Sequence, residues 1–436
     1  MENTIKFKEY ITSKIEVIFL VFLFFTFFFR TFRYYLGIFT FTEYLTFPMA
    51  LFYIMLQCLN IEKFNSHKVL IVVYFLFLSW LLFGMISYFF SIDQNLSQYT
   101  LQLRIAHFLN FYVVSQFITS RKRLRAYEII LLICMLWNIG FSFWEIFTMQ
   151  HLPMSQFYGV ISFIPTGTFT NENTLASIFL VCSPFLFFLR GKLSKHFGVT
   201  ILFIIFFIFC TQGVRLALIV FIPLLIYVFI KRTHIIYKII FFALVGISIL
   251  YILHKYPIVK SVAKIQIERN LLSFGSEVES LQVRSTKARL ALIRIAFEEF
   301  VATKGFGSGV GTFERLLTNP ENAMATANAF NAHNMFMEVL ATEGIIGVIL
   351  LFFIIFSCLH PIIFSVPPPS WKQLLNLKMY GDDEKKVLLF LLFLIIGTTL
   401  IASYRTKYGY FNLLGYAYAL MFNIPQTSAK ALINNQ

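Results

Sequence analysis

The sequence predicts an all-α integral membrane protein of about twelve transmembrane helices, with a large helical exterior loop between spans nine and ten. Three observations carry that prediction. Of 436 residues, 58% are hydrophobic and 56 are phenylalanine. That is more apolar surface than one soluble core of this length can enclose, so lipid must be the solvent for most of it. Apolar runs of the ~17–25 residues needed to cross ~30 Å of hydrocarbon recur along the chain. Lys and Arg, finally, collect in alternate connections, as topology requires of cytoplasmic loops.

The runs centre near residues 17–36, 43–60, 69–90, 104–118, 127–148, 174–189, 198–211, 215–230, 235–253, 339–360, 387–403 and 408–424, three of them short or interrupted. Lys6, Lys8 and Lys14 precede the first run and no small-residue cleavage site follows it, so it is expected to be a retained span and not a signal peptide. With the N-terminus inside, the cytoplasmic connections carry Lys63/Lys68, Arg121/Lys122/Arg123/Arg125, Arg190/Lys192/Lys195, Lys231/Arg232/Lys238 and Lys372/Lys378/Lys385/Lys386. The intervening short loops are nearly free of base, and both termini are expected to face the cytoplasm. The net charge of +15 is therefore a matter of topology, and no nucleic-acid partner is expected. The five cysteines lie in or beside apolar runs without metal-ligand spacing, which suits packing. No internal repeat is evident, and residues 1–436 read as a single polytopic domain.

One connection breaks the rhythm. Residues 254–333 form an exterior segment in which "VKSVAKIQIERNLL" and "STKARLALIRIAFEEFVATKG" place apolar residues at helical spacing between charges. Both are expected to be amphipathic helices on or just above the membrane. A glycine-rich stretch, "GFGSGVGTF", follows them and reads as a turn region. The segment carries ten Lys/Arg between Lys255 and Arg315, but long exterior segments escape the positive-inside bias. More informative is Arg215 in "TQGVRLALIV", a cation at the exterior end of span eight, where topology disfavours it. Arg405 and Lys407 occupy the exterior turn between spans eleven and twelve, and Arg30 and Arg33 the first exterior turn. Charges at such depth mark functional candidates. Side chains snorkelling to headgroup phosphates are the alternative, weightier for Arg30, Arg33 and Arg405 than for Arg215.

Several chemistries lack their parts. The aspartates are Asp93, Asp382 and Asp383, so no DxD motif exists to hold a divalent cation on a sugar nucleotide. No HExxH, HxxxH or CxxC offers a metal site, and "GFGSGVG" fits neither phosphate-loop pattern. No metal or cofactor is expected, and the energy for any reaction must arrive with the substrate.

The stretch "NAHNMFMEVLATEGIIG", residues 331–347, sets His333, Glu338, Glu343 and two glycines at the head of an apolar run. Taken as helix from residue 333 at ~100° per residue, Met337, Leu340, Gly344 and Gly347 fall within ~40° of His333. Glycines so spaced admit a neighbouring helix, so His333 is expected to face protein at the exterior boundary. The positive end of the helix favours a neutral imidazole there, able to take a proton from a hydroxyl. A histidine that only braces the helix is the bland alternative. Arg215 and the loop arginines, Arg289 especially, share that boundary and suit phosphate oxygens. A base beside fixed cations suits attack by a hydroxyl on a lipid-linked phosphosugar with pyrophosphate leaving.

These residues resemble a known family. His333-Asn334, nine residues, then Gly344-x-x-Gly347 resembles the signature of the O-antigen ligase and O-antigen polymerase superfamily. Arg289 ahead of an amphipathic helix and "GSGVGTF" (307–313) stand at the family's separation, although Lys304 occupies a position where proline is common. Val214-Arg215 keeps the arginine of the family's Ser-Arg pair but not the serine. "GTFTNENTLAS" resembles its G-x-F-x-N-x-N segment through Gly167, Phe169, Asn171 and Asn173. The resemblance runs from about residue 165 to 360.

It implies a metal-independent, inverting glycosyltransferase of the GT-C type in the bacterial inner membrane, its site facing the periplasm. The donor would be an undecaprenyl-pyrophosphate-linked glycan. By the same resemblance Arg215 and Arg289 bind the diphosphate, His333 activates the acceptor hydroxyl, and Asn334, Arg405, Arg284, Asn171 and Asn173 contact substrate, Asn334 also capping its helix. For Glu343, packing or a hydrogen bond to an arginine is weighed equally with catalysis. The acceptor is the end of another lipid-linked repeat in a polymerase, or lipid A core in a ligase. Polymerase is the expectation, since the Phe-, Ile- and Lys-rich composition suggests an AT-rich gene of the kind found in glycan-assembly clusters. Membrane lipids and a chain-length regulator are the further partners. The rival class is a lipid-linked oligosaccharide transporter, which twelve spans fit but a single lopsided loop without repeated halves does not. A purely structural subunit leaves Arg215, Arg289 and His333 without a role.

Overall fold

The structure, a computed structural model, describes residues 14–22, 41–187, 192–212, 214–232, 281–326, 334–360, 382–398 and 408–423. Among them there is no strand. After a helical stretch at 14–22, the helices are α1 (Phe41–Cys58), α2 (Lys68–Phe89), α3 (Gln94–Phe117), α4 (Arg121–Thr148), α5 (Glu172–Phe187), α6 (Lys192–Gln212), α7 (Arg215–Arg232), α8 (Leu281–Ala302), α9 (Phe313–Leu317), α10 (Pro320–Ala325), α11 (Met335–Phe356), α12 (Asp382–Ile396) and α13 (Tyr408–Phe422). The all-helical expectation holds. Three helices among the described residues are long and apolar enough to cross a membrane, α2, α4 and α11 with its 3-10 extension to Leu359. Shorter apolar helices cover 46–58, 172–186, 197–212 and 217–226. Most of the runs expected at 17–36 and 235–253 lies outside the described residues, as does 254–280 of the exterior loop.

The chain divides into two compact units, residues Met1–Cys134 with Arg289–Gln436, and Met135–Ala288. In the first, α2, α3, α11 and α13 pack around an aromatic core. The Phe77 ring lies 4.9 Å from Phe111, 5.5 Å from Phe108 and 5.8 Å from Phe411. Gly415 lets α13 approach α3 closely, since a Cβ there would stand 2.8 Å from the Phe111 carbonyl oxygen. Local chemistry starts these helices. The Asp93 carboxylate accepts the Leu96 amide at 3.1 Å to cap α3, and the His67 ring accepts the Val69 amide at 3.3 Å to cap α2. Pro48, Pro184 and Pro223 sit inside helices, as membrane helices allow where neighbours satisfy the freed groups.

Connections expected on the cytoplasmic side meet in this unit as a set of ion pairs. The Arg123 guanidinium forks onto the Glu62 carboxylate at 2.6 and 2.8 Å, Arg121 reaches Asp383 at 2.7 Å, and Lys386 reaches Glu128 at 2.7 Å. Connections expected on the exterior side meet one another likewise. The Ile92 amide donates to the Ser308 carbonyl at 3.2 Å, the Val310 amide to Ser87 Oγ at 2.7 Å, and Ser97 Oγ to the Val310 carbonyl at 2.6 Å. This second meeting positions the exterior residues.

In the second unit, α5, α6 and α7 pack together, with Phe179, Phe209 and Phe221 fully buried. The segment 150–171, between α4 and α5, is held by polar side chains, described below.

Candidate functional site

Residues 289–326 and 334–345 build the described region around the proposed signature. On α8, Leu292, Ile295 and Ala296 bury against Phe313 and Leu317 of α9 and Ala341 of α11, with Met337 at the edge of that cluster. Arg289, half-buried, lies roughly two helical turns ahead of Ala296, and Asn334 roughly two turns ahead of Ala341. Asn334 starts α11. Its backbone is extended, φ −147°, and its Oδ1 accepts the Met337 amide at 3.1 Å, so the expected cap forms. The helix begins at Met335 and not at residue 333, because the cap residue takes non-helical angles.

A second difference lies ten residues on. Gly344 adopts φ 65°, ψ −160°, and breaks α11. This backbone region is essentially closed to residues with a Cβ. A straight wheel through Met337, Leu340, Gly344 and Gly347 therefore does not describe the helix. What approaches Gly344 is not another helix but the glycine-rich loop: a Cβ on it would stand 1.9 Å from the Gly305 carbonyl oxygen. The groups freed by the break bond to that loop. The Ile345 amide donates to Gly305 O at 3.1 Å, and the amides of Ser308 and Gly309 donate to the carbonyls of Ala341 and Thr342 at 3.0 and 2.9 Å. The turn expected at "GFGSGVG" is thus a clasp on the broken helix. Lys304 enters it at φ 54°, an angle that proline, fixed near −65°, cannot adopt, so the departure from the family pattern there has a backbone cause.

Behind the break stands a buried ion pair. Arg104 of α3 donates through Nη2 to Glu343 Oε1 and through Nη1 to the Trp80 carbonyl at 3.1 Å. Trp80 Nε1 donates to the other oxygen of Glu343 at 2.7 Å, and the guanidinium carbon lies 4.0 Å from the Trp80 ring centroid. All three side chains are essentially inaccessible. On α8, the half-buried Glu299 carboxyl is pushed above its usual range by burial, an effect that a bond from Ser308 opposes.

In the second unit, Glu145 is fully buried and accepts the amides of Thr166 and Gly167 at 2.7 and 2.6 Å and the Thr166 hydroxyl at 2.8 Å. His151 Nδ1 stands 2.9 Å from the same carboxylate. Asn138, two turns earlier on α4, accepts the amide and hydroxyl of Thr168 at 3.2 and 2.8 Å. These bonds fix the "GTFTNEN" segment. Asn171 then caps α5 through the Thr174 amide and hydroxyl, both at 2.8 Å, and Asn173 is half-buried beside Glu172. Arg215 is the first residue of α7, and Arg284 lies in the first turn of α8. His333 and Arg405 lie outside the described residues.

Part of the chain is similar to a known family. Residues 199–352 match the model of the O-antigen ligase family. The resemblance seen in the motifs, to the O-antigen ligase and polymerase superfamily, is thereby shown over that stretch. No curated protein matches the chain. The matched stretch holds Arg215, Arg284, Arg289, His333 and Asn334, whereas Asn171, Asn173 and Arg405 fall outside it. Sequence reasoning passed over Arg104, Trp80, Asn138 and Glu145. For Arg104 and Glu145 the available signal was a formal charge inside an apolar run, in "LQLRIAHFLN" and "WNIGFSFWEIF".

Proposed function

We propose that the protein transfers a glycan from an undecaprenyl-pyrophosphate donor to an acceptor hydroxyl at the outer face of the bacterial inner membrane. The acceptor in this reading is the end of another lipid-linked repeat, which makes the protein a surface-polysaccharide polymerase. The observation that carries the proposal is the capped start of α11 at Asn334, next in sequence to His333 and joined to the Arg289 helix through one apolar cluster. A histidine next to that cap brings an imidazole, the side chain best suited to serve as a general base near neutral pH.

In the proposed step the acceptor hydroxyl gives its proton to the His333 imidazole while its oxygen attacks the anomeric carbon. The bond from that carbon to the phosphate oxygen breaks and the lipid diphosphate departs with the electron pair, inverting the configuration. Arg215 and Arg289 offset the charge growing on the leaving oxygen. Arg284, Arg405, Asn334, Asn171 and Asn173 are the further substrate-binding residues in this reading. No step calls for a metal.

The second reading, an O-antigen ligase acting on lipid A core, is favoured by the description of the matching family. Purified protein given one lipid-diphosphate-linked repeat and no other acceptor separates the two. A ladder of product lengths supports the polymerase. Product only after lipid A core is added supports the ligase. No product under either condition overturns both.

A further inference from the structure

Glu343, Arg104 and Trp80 lie deep in the first unit and hold one another there, outside the set of residues assigned to the proposed reaction. From the loop-bearing end, Trp80 is nine residues before the end of α2 and Arg104 ten residues after the start of α3. Each is therefore roughly 14 Å along its helix from the exterior connection. An ion pair at that depth is weak evidence for stability, because desolvation offsets the attraction and apolar replacements of both partners are often tolerated. Among the described residues Arg104 Nε has no hydrogen-bond partner.

Its position is more informative than its energy. Glu343 is the residue before Gly344, the point at which α11 breaks. Its two carboxylate oxygens are fixed by different helices, Oε1 by Arg104 of α3 and Oε2 by Trp80 of α2. A Cβ on Gly307 would stand 2.5 Å from the Glu343 amide nitrogen, so the clasp loop rests directly on this residue's backbone. A Cβ on Gly347 would stand 2.5 Å from Glu343 Cβ, so the side chain fits only against a glycine there. Rotation of the capped first half of α11, which carries Asn334, is thus set at Glu343.

We infer that Glu343, held by Arg104 and Trp80, is a positioning residue: the buried triad locks the break in α11 and thereby the angle at which its N-terminal segment is presented. The inference rests on the glycosyl-transfer reading for its kinetic arm only. Removing one partner leaves the other charge buried and endangers folding. The test is therefore the double variant Arg104→Met/Glu343→Met, with Trp80→Phe as a milder second variant that removes one donor and keeps the ring.

Two readouts are taken on each purified variant. Hydrogen exchange of amides 305–309 and 341–345 is expected to rise at least ten-fold in the double variant, with α13 unchanged. Turnover of the lipid-diphosphate-linked repeat is expected to fall at least ten-fold in kcat, with KM within about three-fold of the parent. Trp80→Phe is expected to move both in the same direction by about three-fold, and it decides the matter if the double variant does not fold. Parental exchange at the clasp, or parental kcat, overturns the inference. Should the parent itself turn nothing over, the transfer reading fails, and exchange alone decides the positioning role.

Discussion

Replacing Gly344 by alanine tests the broken helix most sharply. Alanine at φ 65°, ψ −160° carries roughly 1–3 kcal/mol of backbone strain. The new Cβ would also stand 1.9 Å from Gly305 O and 2.7 Å from Gly305 C, both backbone atoms that no side-chain rotation can move aside. Either the clasp retreats or the helix straightens. Both outcomes forfeit the three bonds between loop and helix, from Ile345, Ser308 and Gly309, at about 0.5–1.5 kcal/mol each. The expected loss is therefore on the order of 3–6 kcal/mol, read as earlier thermal unfolding of detergent-purified protein and faster proteolysis between α8 and α9. Gly140 supplies the control. A Cβ there meets nothing within 4 Å, and its place inside α4 predicts that Gly140→Ala stabilises by up to about 1 kcal/mol. Equal and neutral effects at the two glycines would refute the reasoning.

Three further outcomes follow from the ion pairs and carboxylates. Arg123→Met strands the buried Glu62 carboxylate that its fork now satisfies, and costs about 3–5 kcal/mol in unfolding measurements. Glu145→Ala removes the acceptor for two amides and the Thr166 hydroxyl, so cleavage by added protease within 150–171 should be faster than in the parent. Glu299→Gln should raise the melting temperature at neutral pH, because burial disfavours the charged carboxyl in the folded state. The folded protein holds that proton more tightly than the unfolded chain, so the parent loses stability as pH rises through the carboxyl's range. The advantage of the variant should accordingly fade on acidification, where the parent is neutral as well.

Much of the architecture was legible. Apolar runs announced the helices, and Asn334 announced its own cap, because an asparagine before an apolar run is a local signal. The break at Gly344 was not. A Gly-x-x-Gly spacing fits a straight helix as well as a broken one, and only the approach of Gly305, far away in sequence, distinguishes them. The Arg104–Glu343 pair was hidden in the same way, its partners lying 239 residues apart. Glu145 could have been found, since a carboxylate inside an apolar run must be satisfied by something. Two of its donors are loop amides, which leave no mark in side-chain identities.

The central claim is that His333 takes the acceptor's proton, and one comparison tests it directly. Parent and His333→Ala proteins are reconstituted with the undecaprenyl-pyrophosphate-linked repeat, and donor binding and product formation are measured on the same samples. The variant is expected to bind donor within a few-fold of the parent while turnover falls by about 10²–10⁴, the usual contribution of a positioned base. Turnover at the parental rate in the variant would contradict it.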